Sequence, residues 1–320
     1  MKRSTLLLLS VMLSAVSFAQ VKVTLNTPTN YAFTQAPAKV VASAYSPNGM
    51  SSMAVFVDNI RVYFQWGDTI STNLWLSPGS HNIQVQATDN TNQTGSSPTV
   101  RVYSLASRGT VGKIEELDPW QSCTDAGCAG GQGTSTTFTA PYQTTPSRDG
   151  SSRQFYLGGT GQYSNSYWYK FVGGSSTATN FTYDLYARVD NPVAPQALEF
   201  DVNQSFSGKR WIFGTQCNFK GSGKWDVWDG GAGKWVPTKL ACKQWKANTW
   251  VHIVWSVQRV GDTVRYTSIA IDGVTNSINM QLPRQPSWVG SDIDIAVQLD
   301  GDSNQTPYNV WVDSVQLTAW

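Results

Sequence analysis

Residues 197–204 read ALEFDVNQ. Leu198, Phe200 and Val202 alternate with Glu199, Asp201 and Asn203, so an extended chain puts three apolar side chains on one face and three polar ones on the other. That is a half-buried strand with a polar groove side. The pattern recurs on both flanks in QFYLGG, YWYKFVG, NFTYDLYARVD, RWIFGTQCNF, WVHIVWSVQRV, RYTSIAIDGV and VWVDSVQLTAW. In DIDIAVQLD, Ile293, Ile295, Val297 and Leu299 point inward while Asp294 and Asp300 point outward. About eight or more such strands across 154–320 predict two packed sheets, a jelly-roll sandwich.

The first half is also all-β, in a smaller unit. VKVTLNTPTN, AKVVASAYS, MAVFVDNIRVYFQWGD, HNIQVQATDN and TVRVYSL alternate between turn signals such as SPNG and DNTNQTG. Roughly seven short strands in that length suit an immunoglobulin-like sandwich. Four units follow: a signal peptide over 1–19, an Ig-like domain over 20–105, a linker with a disulfide knuckle over 106–153, and the second sandwich over 154–320.

The leader carries Lys2 and Arg3, an apolar stretch from Leu6 to Val16, and the small residues Ser17 and Ala19 before a cleavage point. This is a secretory pattern, and the apolar run is too short to span a bilayer. Without Lys2 and Arg3 the basic count falls from 23 to 21, equal to the 21 acidic residues. A neutral mature chain gives nucleic acid or an anionic membrane nothing to hold. Four cysteines in an oxidising compartment read as disulfides, and local pairing favours Cys123–Cys128 and Cys217–Cys242. Zinc is disfavoured because only His81 and His252 are available.

Two resemblances follow from particular residues. The run Met53, Val55, Val57, Asp58, Asn59, then Pro78, Gly79, Ser80, His81, is similar to bacterial Ig-like domains of exported proteins. Trp250 and His252 leading to Ile271, Asp272 and Gly273, with VWVDSVQL at the end, resemble the concanavalin-A-like lectin/glucanase fold. TYDLYARVD resembles the strand before the catalytic one in laminarinase-like glycosidases. The resemblance implies an exported bacterial Ig-plus-lectin-like protein, a group with no settled activity.

That family draws its carboxylates from one strand, as E-x-D-x-E or, with a bulge, E-x-D-x-x-E. Here Glu199 matches the nucleophile and Asp201 the middle helper. The acid position falls on Asn203 or Gln204, and neither amide can protonate a departing alkoxide. A retaining glycosidase needs two carboxyl groups about 5 Å apart, so the acid would have to come from another strand: Asp184, beside Arg188, or Asp294 or Asp300. The plain alternative is that Glu199 and Asp201 are ion-paired with Arg188 or Arg210.

Trp211, Trp225 and Trp228 lie in the Trp-rich run that Cys217–Cys242 would brace, and WDVWD places two indoles beside carboxylates, as sugar sites do. LDGDSN, with Asp300, Asp302 and Asn304, opens like a calcium loop. It has Gln305 where glycine is needed and no closing glutamate, which favours a tight turn over a calcium site; calcium stays the one alternative to an expectation of no metal or cofactor. The expected function is a secreted, lectin-like protein that contacts polysaccharide or another glycan through the concave sheet of the second domain. A glycoside hydrolase with an atypical acid, or a structural or adhesive surface protein, remain as alternatives.

Overall fold

The computed structural model describes residues 21–320 except 31, 35–36, 105–108, 125–128, 132–134, 287–289 and 291. The leader lies outside the described residues, and so does Cys128. Cys123 is disulfide-bonded. Cys217 and Cys242 are bonded to each other, with Cα atoms 5.4 Å apart.

The chain is all-β. In the N-terminal sandwich, Lys22–Thr27, Ala38–Tyr45 and Thr69–Leu74 form one sheet. Ala32–Thr34, Val100–Ser104, Gly79–Asp89, Met50–Val57 and Ile60–Trp66 form the other, with Thr94–Ser96 added to Gly79–Asp89. The alternation within these strands makes the core: Val40 and Ala42 from one sheet meet Val55, Ile83, Val85 and Val102 from the other.

The C-terminal sandwich has two larger antiparallel sheets. The first runs Ser135–Gln143, Ser152–Gly159, Tyr308–Ala319, Asn180–Val189, Trp250–Val260, Thr263–Ile271 and Val274–Pro283. The second runs Gln121–Cys123, Asn165–Gly173, Asp292–Asp300, Leu198–Phe206, Thr215–Cys217, Lys224–Asp229 and Lys234–Ala241. Leu198, Phe200 and Val202 enter the shared core with Leu185, Ala187, Ile253 and Val312.

Much of the expected linker belongs to this sandwich. Gly109–Val111 pairs with the last strand, Gln121–Cys123 edges the second sheet, and Ser135–Gln143 edges the first. A 3-10 turn, Ile114–Glu116, is held down because Glu115 accepts the N–H groups of Ser314 (2.8 Å) and Val315 (3.0 Å). The polar, glycine-rich composition of the segment hid these short edge strands.

The two sandwiches are bound to each other. Trp75 leaves the N-terminal unit and is buried in the C-terminal core. Its N–H donates to the Val172 carbonyl (2.9 Å), and the Gly174 N–H donates back to its own carbonyl (3.3 Å). Gly173 permits this approach. Its φ is +144°, and a Cβ there would stand 2.4 Å from the Trp75 nitrogen. Lys170, also buried, reaches the Asp118 carbonyl (3.1 Å), the Pro119 carbonyl (3.2 Å) and the Tyr63 hydroxyl (3.4 Å). Phe171 packs against the N-terminal core.

Candidate functional site

The polar side of the Leu198–Phe206 strand faces away from the core, and its register assembles the site. Glu199 stands opposite Gln298, Asp201 opposite Ala296, and Asn203 opposite Asp294. On the next strand Tyr167 stands opposite Gln298 and Tyr169 opposite Ala296. Yet both central strands are buried on their two faces, with Glu199 and Asp201 each only 5% exposed. Alternation separates core from non-core. It cannot reveal that the non-core face is also covered.

A cavity of about 380 Å³ opens over this face, lined by Glu199, Asp201, Asn203, Gln298, Trp228 and Trp235 among others. Its polar floor is tightly bonded. The Gln298 amide donates to Glu199 Oε1 (2.7 Å) and to Asp300 Oδ1 (2.9 Å). Asp201 Oδ1 accepts the Thr215 N–H (3.0 Å). The Asn203 amide donates to Asp294 Oδ1 (2.8 Å) and to the Tyr167 hydroxyl (3.1 Å). Asn203 Oδ1 and the Trp228 indole nitrogen are buried with no protein partner.

Five carboxyl groups therefore share a desolvated face. Burial, followed by the charges of Asp300 and Asp201, pushes Glu199 well above the usual carboxylate range. Burial raises Asp201 to about 7 against the pull of the Thr215 N–H, and Asp294 adds to the rise. Asp300 is raised to about 6 by burial, and Glu199 donates to it in turn. Asp292 is raised to about 7 by burial and then by Asp294, with Arg210 and Arg61 acting against them. Burial also raises Asp294, opposed by Arg210, whose guanidinium stands 3.5 Å away. Near neutral pH, several of these groups hold protons. Such a face both donates and accepts hydrogen bonds while carrying less charge than its five acids suggest.

The indole wall is a hairpin product. Trp228 and Trp235 are cross-strand partners on either side of the turn 230–233. Asp229 Oδ1 accepts the N–H groups of Gly231 (3.0 Å) and Ala232 (2.9 Å), and Gly233 takes φ +61°. The two rings meet edge to face at 5.2 Å.

Several expected site residues lie elsewhere. Asp184 and Arg188 sit in the opposite sheet, across the core from Glu199. There Asp184 pairs with His252 (2.8 Å) and Arg188 donates to Asn248 (2.9 Å). Gln204 points inward and donates to the Ser175 and Ala178 carbonyls. Trp211 is buried under Phe206 and bonded to the Gly261 carbonyl, so it is no stacking platform. Trp225 is a core residue against Trp255. Of the tryptophans expected to meet substrate, only Trp228 lines the cavity. Against the alternative of ion pairing with Arg188 or Arg210, Gln298 donates to Glu199, the Thr215 N–H donates to Asp201, and Arg210 pairs with Asp294 while acting on Asp201 through its charge. Of the acids expected from another strand, Asp294 and Asp300 do stand beside the 199–203 face, and the structure adds Gln298, Tyr167 and Trp235, which strand register reveals and composition does not.

LDGDSN divides its acids: Asp300 turns to Gln298, while Asp302 pairs with Lys220 and accepts the Asn304 N–H (2.9 Å). It is a turn tied to a lysine. Glu115, Asp149 and Asp313 are close enough together to hold an ion. Glu115 and Asp313 already accept backbone N–H groups, from Ser314, Val315 and Arg148.

No family model and no curated protein matches the sequence. Among solved structures, the chain is similar to a carbohydrate-binding module of the β-sandwich superfamily at 11% identity and TM-score 0.33, covering 92% of this chain and 96% of that one. It is similar to a cellulose-induced protein at 12% identity and TM-score 0.41, covering 65% and 96%. Peanut lectin matches at 8% identity and TM-score 0.37, covering 63% and 98%.

Proposed function

We propose that this is an exported, lectin-like protein that binds glycan in the cavity over the second sheet of its C-terminal sandwich, with the N-terminal sandwich read as an Ig-like domain. One observation carries the reading: a cavity of about 380 Å³ sets the Trp228 and Trp235 indoles beside a floor of Glu199, Asp201, Asn203 and Gln298. A sugar offers C–H-rich faces and neutral hydroxyls together, and this lining offers apolar ring faces and mixed donors and acceptors together. The Asn203 oxygen and Trp228 N–H, buried without a protein partner, are one acceptor and one donor that a hydroxyl would satisfy once the side chains turn towards the cavity. Export is supported by the leader pattern and by the Cys217–Cys242 disulfide.

The test is retention on insoluble cellulose, curdlan, xylan, chitin and peptidoglycan. Wild type should be retained on at least one. Trp228→Ala should lose that retention, while Trp225→Ala, a core change, should lower stability instead. No retention of wild type on any of these, or full retention of Trp228→Ala, ends the reading.

A second reading, glycoside hydrolysis, has its own support. Asp300 supplies the third carboxyl that the 199–204 stretch lacks, and the Gln298 amide bridges it to Glu199. A protonated acid and a second carboxyl are the charge states such hydrolysis uses. Glu199 and Asp300 are directly hydrogen-bonded, however, and would have to part to about 5 Å to act as that pair. Release of reducing ends from β-glucans by wild type but not by Glu199→Gln is its expected result. No release by wild type removes it.

A further inference from the structure

A second and larger cavity, about 970 Å³, adjoins the first, and Tyr167 and Arg210 line both. One wall is the second sheet of the C-terminal sandwich, through Tyr169, Phe171, Asp292 and Asp294; the other is the edge strand Ile60–Trp66 of the N-terminal sandwich, through Arg61 and Phe64. We propose that the N-terminal sandwich forms one wall of the binding cleft, so that the protein takes a polysaccharide chain lengthwise along both cavities instead of a single terminal sugar. This rests on the glycan reading above and gives its site a length and a second domain.

Three observations support it. First, the two cavities are neighbours that share Tyr167 and Arg210 as a common wall, and together they run far across the sheet. Four strand spacings separate the Asn165–Gly173 strand from Lys224–Asp229, which is about 19 Å across the face. The outer cavity alone is near the top of the ~300–1,000 Å³ range of small-molecule sites.

Second, the lining keeps the same chemistry along its length. Tyr167 and Tyr169 have ring centres 5.6 Å apart, and Tyr169 and Phe171 are 5.5 Å apart, so aromatic surface continues outward from the indole pair. On the facing wall, Arg61 lies over the Phe64 ring at 5.7 Å. Phe64 meets Trp66 edge to face at 5.1 Å, and Trp66 is left 70% exposed. Arg61 acts through its charge on Asp292 and Tyr169 across the cleft, so charged hydrogen-bonding groups stand on both sides.

Third, the wall is fixed. Trp75 is buried in the neighbouring core, Gly173 admits its backbone, and the Tyr63 hydroxyl of the N-terminal sandwich is held by Lys170 (3.4 Å) and by the Asp118 carbonyl (3.1 Å). A domain serving only as a spacer needs none of these contacts, since domain interfaces within a chain are ordinarily loose and polar.

The test is a glycan array carrying each plant, fungal and bacterial chain as disaccharide, tetrasaccharide and octasaccharide. It is probed with full-length wild type, Arg61→Ala/Phe64→Ala, and Trp228→Ala. Wild type should bind the octasaccharide of at least one chain about ten-fold or more tighter than the disaccharide. The Arg61→Ala/Phe64→Ala variant should lose that gain and still bind disaccharide as wild type does. Trp228→Ala should weaken both lengths. Both wall residues are partly or fully exposed, and a melting curve matching wild type verifies that the variant folds. If the wall variant binds octasaccharide as tightly as wild type while Trp228→Ala does not, the ligand stays in the inner cavity. The lengthwise proposal then fails and the glycan reading stands. Equal loss at both lengths in the wall variant also overturns it. Binding of no glycan by wild type ends both.

Discussion

Replacing Asp201 by asparagine should change how stability depends on pH, and the size of the change follows from its surroundings. The Asp201 carboxyl is buried, and its native value of about 7 stands above an unfolded value of 3.8. Between those values the folded chain keeps a proton that the unfolded chain has already released. Stability therefore falls as pH rises through the window, by about 1.4 kcal/mol per pH unit for one such proton. Over roughly three units this approaches 4 kcal/mol, a large share of the ~5–15 kcal/mol that a domain usually has. Glu199, Asp294 and Asp300 are charge-coupled to the same site, so part of the relief passes to them. The amide oxygen of the Asp201→Asn variant can still accept the Thr215 N–H, and the amide never ionises. Urea unfolding followed by tryptophan fluorescence, from about pH 4 to about pH 8, is the assay. Wild type and Asp201→Asn should be close at about pH 4, with the variant progressively more stable towards about pH 8. A difference that is constant with pH would refute the buried, proton-holding carboxyl.

Other expectations follow from single contacts. In calorimetry with a retained glycan, Trp228→Ala should weaken binding by about ten-fold or more, and Trp225→Ala by little once its lower stability is allowed for. Lys170 has its ammonium pushed down to about 7, by burial first and then by the Arg153 charge. Above that value the folded chain gives up a proton that the unfolded chain holds until about 10.5, so wild type should gain stability relative to Lys170→Met between about pH 7 and about pH 9. Parallel unfolding curves would show that Lys170 keeps its proton.

How much of this was legible depends on what alternation encodes. Leu198, Phe200 and Val202 against Glu199, Asp201 and Asn203 announced the strand, its inward face and the two carboxylates on the other face. The same rule sorted Ile293, Ile295, Val297 and Leu299 from Asp294 and Asp300. It could not rank strands within a sheet, because pairing joins residues far apart in the chain. Asp184 therefore looked as good a neighbour as Asp300, although the two are in opposite sheets. Among the tryptophans, spacing misled. Trp225 and Trp228 are three apart and fall on opposite faces of one strand, so one entered the core. The true partner of Trp228 is Trp235, across a turn whose DGGAGK sequence was the available signal. The docking of the N-terminal sandwich was invisible for another reason. Trp75 and Gly173 have no local pattern that says they meet.

That docking and the acidity of the cleft are physically one matter, and Gly173→Ala separates them from mere strain. Asp292 lines the interdomain cavity beside Arg61, and its rise to about 7 comes first from burial. The wall supplying that burial is held by the Trp75 backbone, which approaches only because residue 173 lacks a Cβ. Alanine there must shift Trp75, breaking the Val172–Trp75 bond (2.9 Å) and letting water reach Asp292. Positive φ and the close approach together should cost about 2 kcal/mol or more. With Asp292 hydrated, its carboxyl returns towards 3.8, and the folded chain no longer holds that proton between about pH 4 and about pH 7. Wild-type stability then falls with pH more steeply than that of the variant, by up to about 1.4 kcal/mol per unit. The deficit of Gly173→Ala should be largest near pH 4 and should shrink towards about pH 7. Limited proteolysis should cut its interdomain segment faster at every pH. A deficit constant across the range, with wild-type resistance to protease, would mean that the N-terminal wall does not shield the acidic cleft.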